Sequence, residues 1–181
     1  NGLAAAGILS IAFAVGNLLM TLGKFGVRNF QATDIRRQFS FHTYLTLRIG
    51  TSLLMAVCSV GYVFLNMAFS DYTPEKSAVI VGICFIYVIE SFEDVYLGYY
   101  QLEGRLDVAS KIFVCRWLAI MAAFTACAVI WHNLEYAVWF SVVLSFLLEI
   151  ILLLITGRIV RIPSIKCQTD GIGRMVKQCF P

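Results

Sequence analysis

The chain has 181 residues, 60% of them apolar and 14% charged, with a mean hydropathy of +0.81 and a formal net charge of +3. A soluble domain carries nearer a quarter charged residues, so this composition excludes an ordinary water-soluble fold and predicts an all-α, polytopic bundle of transmembrane helices. The cysteines (Cys58, Cys84, Cys115, Cys127, Cys167 and Cys179) show no CxxC and no Cys–His spacing, so they read as small buried hydrophobes, and no metal or cofactor is expected.

Five spans are predicted in chain order, each near the length a bilayer requires. Residues 3–22 are rich in Ala and Gly, with Ser10, Asn17 and Thr21 as mild polar content; small residues suit close helix packing. A basic and aromatic connection follows, GKFGVRNFQATDIRRQFSFHTY. The second span is 45–69, with Arg48 one turn inside its start. A short polar turn carries Pro74, a residue suited to a helix start, and the third span runs over 77–100. Spans four and five are 112–131, with Arg116 near its start, and 136–156, with Glu149. The remainder, 157–181, reads as a basic connector, and the chain is expected to be a piece of a longer polytopic protein.

Orientation follows from the basic residues near span ends. Of the 14 Lys and Arg, Lys76 alone falls on one side; the rest fall on the other, so the basic connections are expected in the cytoplasm. Juxtamembrane positive charge accounts for the basic and aromatic stretch 24–44, and no nucleic-acid partner is expected; the expected surroundings are membrane lipid.

The third span is the unusual one. Its apolar residues contribute about −5 kcal/mol to insertion, whereas Glu90, Glu93 and Asp94 cost about +2.5 to +3.5 kcal/mol apiece near the centre. Such a segment enters a membrane only in company, with its acids turned into a bundle or a wet cavity. Glu90 and Asp94 share one helix face, which Tyr87, Gly98 and Gln101 continue; Glu93 points toward the side of Tyr96 and Tyr100. Arg48 and Arg116 either snorkel to the interface or pair with Glu93 or Asp94, which lies about 10 Å inside its span. Glu90 has no evident cationic partner in the sequence. It is either a neutral acid bonded to a carbonyl or to Tyr87, or a proton-coupling carboxylate, and Glu149 carries the same two readings. The acids and arginines are expected to line one cavity. His42 and His132 both lie at predicted interfaces, and no HExxH or GxSxG run is present, so no enzymatic chemistry is expected.

Two stretches carry a resemblance. The pattern R-N-x-Q-x-T-D at 28–34 with Tyr44 and Arg48, and E-x-x-x-D-x-x-x-G-x-x-Q-x-x-G-R at 90–105, resemble the bacterial O-antigen type of polysaccharide flippase, in the multidrug/oligosaccharidyl-lipid/polysaccharide exporter superfamily. The ending MVKQCFP is similar to the start of that family's seventh helix. The resemblance covers helices two to six of twelve. It implies most of one six-helix lobe of an alternating-access transporter, lacking its first helix and second lobe, in the bacterial inner membrane. Its implied substrate is an undecaprenyl-diphosphate-linked oligosaccharide for surface polysaccharide synthesis. Arginines suit a diphosphate, and Arg28, Arg48 and Arg116 are the candidates. Glu90, Asp94 and Gln101 are candidates to line the glycan cavity, with Glu90 as first choice for the coupling carboxylate. Alternatives are a cation-coupled drug antiporter of the same superfamily, and a non-catalytic assembly subunit of a glycan-export system in which acid–arginine pairs only hold helices together.

Overall fold

The computed structural model describes residues 2–70, 72–160 and 171–179. Among these the chain is all-α, with helices α1 (Gly2–Lys24), α2 (Val27–Thr33), α3 (Phe41–Phe69), α4 (Pro74–Leu102), α5 (Leu106–Trp131), α6 (Leu134–Val160) and α7 (Ile172–Cys179). Four of them, α1, α3, α5 and α6, are long and apolar enough to cross a membrane. The chain therefore has the character of a multi-pass membrane protein. Helix α4 has the length, at 29 residues, but its acids deny it the composition.

The long helices overrun the predicted spans, and in α3 and α4 a side-chain cap sets the earlier start. Ser40 Oγ accepts from the Thr43 N–H at 3.3 Å, which starts α3 at Phe41 rather than at residue 45. Thr73 Oγ1 accepts from the Lys76 N–H at 3.2 Å with Pro74 in the first turn, so α4 starts three residues before its span. Helix α5 starts at Leu106, and α6 continues to Val160. The predicted connection after the first span contains α2, set off from α1 by positive φ at Phe25 and Gly26. Much of the predicted connector 157–181 lies outside the described residues. Its described part includes α7, whose Met175 is fully buried against the cluster around Tyr44 and Tyr100.

Helix α4 is the hub. Seventeen of its 29 residues are buried, against six of 27 in α6. It packs along α1, α3 and α6, touches α2 and α5, and leaves those helices to face outward. Two apolar clusters lie along its length. One surrounds Val79, Ile83 and Cys84 near its start; the other surrounds Val95, Tyr96 and Tyr100 near its end. Close approach is built in by small residues. A β-carbon at Gly23 would stand 2.6 Å from Ser91 Oγ, so α1 meets α4 at a distance only glycine permits there. On α6 the buried positions Ala137, Ser141, Ser145 and Glu149 recur every four residues, a narrow small-residue seam that ends in an acid. The outer surfaces are apolar: Leu18, Phe64, Leu118 and Leu154 are all exposed. In water they would form a liability; in lipid they are the expected face.

Candidate functional site

The three acids of α4 divide between two sides of the helix. Glu90, Asp94 and Gly98 form one stripe at successive four-residue steps, and this stripe meets α1 and α2 as a ladder. Lys24 Nζ lies 2.7 Å from Glu90 Oε1. Arg28 Nη1 lies 3.3 Å from Asp94 Oδ1. The next rung is steric: a β-carbon at Gly98 would meet the Gln31 carboxamide oxygen, so Gly98 makes room for the buried Gln31. The run Lys24, Arg28, Gln31 therefore descends beside Glu90, Asp94, Gly98, with α1 and α4 parallel.

Arg48 joins the ladder from α3. Its Nη2 donates to Asp94 Oδ2 at 2.8 Å and its Nη1 to the Gly23 carbonyl at 2.6 Å. One guanidinium thus ties α3 to α4 and satisfies a carbonyl at the C-terminal end of α1. Arg48 is fully buried, whereas the Lys24 and Arg28 side chains are each about one-third exposed, at 33% and 34%. The rungs at Lys24 and Arg28 are therefore reachable from outside, while Arg48 holds Asp94 from behind.

Glu93 looks the other way. Its Oε2 lies 2.6 Å from Arg116 Nη2, close enough for an ion pair though the angle falls short of a hydrogen bond. Arg116 also donates from Nη1 to Ser145 Oγ at 3.1 Å, and its Nε stands 3.9 Å from Glu149 Oε2. All three charged side chains are sealed, at 0% exposure for Arg116, 1% for Glu93 and 5% for Glu149. Glu149 also lines a cavity of about 320 Å³ between α3 and α6, with Val88, Ile89 and Phe92 of α4 as its floor.

These positions decide one sequence expectation and revise others. Arg48 and Arg116 pair with acids rather than snorkel, with Asp94 and Glu93 respectively. Glu90, expected to lack a cation, has Lys24; that residue was placed in a connection, yet it is the last residue of α1 and its flexible stem reaches back. The acids and arginines do not line one cavity. Glu90 and Asp94 are buried at 6% and 3% exposure and held in helix contacts, because each finds its cation within the bundle. Arg116 lies across α4 from Arg28 and Arg48, so the three arginines do not converge. Gln101 is exposed and takes no part in the ladder.

The motif residues at 28–34 have local work to do. Asp34 is buried and accepts from the Gln38 N–H at 2.9 Å, the Phe39 N–H at 3.2 Å and the Tyr44 hydroxyl at 2.9 Å. It ties the connection between α2 and α3 to the first turn of α3, which fixes where Arg28 and Arg48 stand. The signal in the sequence was an Asp among turn residues, which caps by accepting backbone N–H bonds. No protein-family model, curated protein or solved structure matches the chain.

Proposed function

We propose that this chain is part of a bacterial inner-membrane flippase that moves a polyprenyl-diphosphate-linked oligosaccharide toward the outer leaflet, its basic end in the cytoplasm. The observation that carries the reading is the half-open pair Lys24 and Arg28. They continue an exposed stripe on α1, where Ser10, Asn17 and Thr21 precede Lys24 at helical spacing. A diphosphate is the part of such a lipid that resists entering a membrane, and two accessible cations held in place by buried acids neutralise it without being reorganised on arrival. Of the candidate arginines, Arg28 then touches the diphosphate, Lys24 joins it, and Arg48 positions both through Asp94 and the Gly23 carbonyl. Arg116 leaves the set, since it is sealed on the far side of α4.

A second reading has its own support. Buried acid–base pairs between helices are what a non-catalytic assembly subunit needs, and Arg48–Asp94 and Arg116–Glu93 are of that kind. The deciding experiment is flipping of a labelled polyprenyl-diphosphate glycan in vesicles by the full-length protein and by its Lys24→Ala/Arg28→Ala variant. Loss of flipping with the fold preserved supports the flippase. Unchanged flipping removes the diphosphate contact. An inactive wild type that still holds a glycan-export complex together favours the assembly subunit.

A further inference from the structure

Two buried carboxyls share one guanidinium on the α5–α6 side of α4. Arg116 is committed to Glu93 at 2.6 Å and to Ser145 Oγ at 3.1 Å, and only its Nε, at 3.9 Å, approaches Glu149. Neither Glu149 oxygen has a hydrogen-bond partner among the described residues, although the residue is only 4% exposed. We propose that the Glu149–Arg116–Glu93 cluster is a proton-binding site, with the proton held on Glu149.

The reasoning is charge counting in a place where charge is expensive. With both acids ionised the cluster carries one excess negative charge inside a lipid-facing bundle, and an unpaired buried ion is costly enough that the group neutralises instead. Among the described residues, no element facing Glu149 supplies a second cation to the cluster. Helix α4 presents Glu93 and the phenols of Tyr96 and Tyr100, and the Tyr100 hydroxyl is already engaged with Thr156 Oγ1 at 2.7 Å. Helix α5 presents Arg116, and α6 presents Ser145 and Thr156. Helix α3 brings only Ser52 to the polar lining of the adjoining cavity. The other cations that pair with acids of α4 among the described residues, Lys24, Arg28 and Arg48, stand on its opposite side with Glu90 and Asp94. The shortage of positive charge is therefore local.

A proton fits this shortage better than a metal cation. A sodium-sized ion needs several oxygen ligands, and apart from Ser52 the cavity beside Glu149 is lined by apolar side chains such as Ile49, Phe92 and Phe146. The Glu149 carboxylate takes one proton from water, becomes a neutral acid, and leaves the Arg116–Glu93 pair intact. Glu149 forms part of the wall of the cavity between α3 and α6. In the transport reading the bound proton makes Glu149, rather than the Lys24-paired Glu90, the carboxyl suited to coupling, but proton occupancy itself does not depend on that reading.

Infrared difference spectroscopy of the full-length protein in phospholipid vesicles tests the site without any substrate. The wild type is expected to show a carboxylic-acid C=O band at neutral pH that is absent from Glu149→Gln. Glu93→Gln should lose the same band, because Arg116 then has Glu149 as its remaining acid, so the test survives if either variant fails to fold. Glu90→Gln should keep the band. A wild type without a band that these substitutions remove, or a band that appears only when sodium is withdrawn, overturns the proposal. Flipping assays stay independent: a protein that flips glycan without this band rejects the proton site alone.

Discussion

The two flanks of α4 solve one problem in opposite ways. Toward α1, α2 and α3, two acids meet three cations, and two of those cations are partly open to the outside. Toward α5 and α6, two acids meet one cation, and none of the three charged side chains is exposed. Summed over both flanks the charges cancel, so the helix as a whole is no electrostatic anomaly. Segregating them creates one site with positive charge to spare for an anion and another lacking it. The position of a charge relative to its nearest partner, rather than the total, sets its chemistry where water is excluded.

Removing cations one at a time sharpens this contrast. Arg116→Ala is expected to have the largest effect, a loss of about 3–5 kcal/mol, because it strands buried acid with no alternative cation nearby. Reversible unfolding in detergent micelles or bicelles reads this directly, and a loss under about 1 kcal/mol would mean that water or another group reaches the sealed flank. Arg48→Ala should be milder, about 1.5–3 kcal/mol, the range for a charged hydrogen bond, since Asp94 keeps Arg28. Its unfolding midpoint should fall between those of Arg116→Ala and wild type; the reverse order would show that the Gly23 carbonyl, and not Asp94, dominates the role of Arg48. Lys24→Ala should cost least, below about 1 kcal/mol, because a partly exposed pair is screened by solvent. If Lys24→Ala destabilises as much as Arg48→Ala, the open flank is in fact shut.

The sequence made some of this legible and hid the rest for identifiable reasons. Apolar length located the five long helices, and the cost of three acids in one of them required it to be the hub. Depth made pairing of Arg48 and Arg116 with Glu93 or Asp94 one of two readings beside snorkelling, and only the packing of the helices decides for pairing and assigns Asp94 to Arg48 and Glu93 to Arg116. Lys24 as the partner of Glu90 was not legible, because hydropathy ended the first span at residue 22 and the helix runs two residues farther. Helix α2 escaped for a related reason: VRNFQAT, seven residues long, is too short for an amphipathic period to stand out. The ladder of Lys24, Arg28 and Gln31 against Glu90, Asp94 and Gly98 joins segments 66 or 67 positions apart, and no local pattern reports such a register.

The division of partners around α4 also has an order in time. A chain leaves the ribosome from its N-terminus, so Lys24, Arg28 and Arg48 already exist when the acids of α4 emerge, while Arg116 and Glu149 are still to be made. Glu90 and Asp94 are met on arrival by earlier helices, and those helices can draw a poorly inserting segment into the membrane. Glu93 has to wait for α5. Between the synthesis of α4 and that of α5, Glu93 therefore sits in or beside the bilayer with its own partner, Arg116, not yet translated.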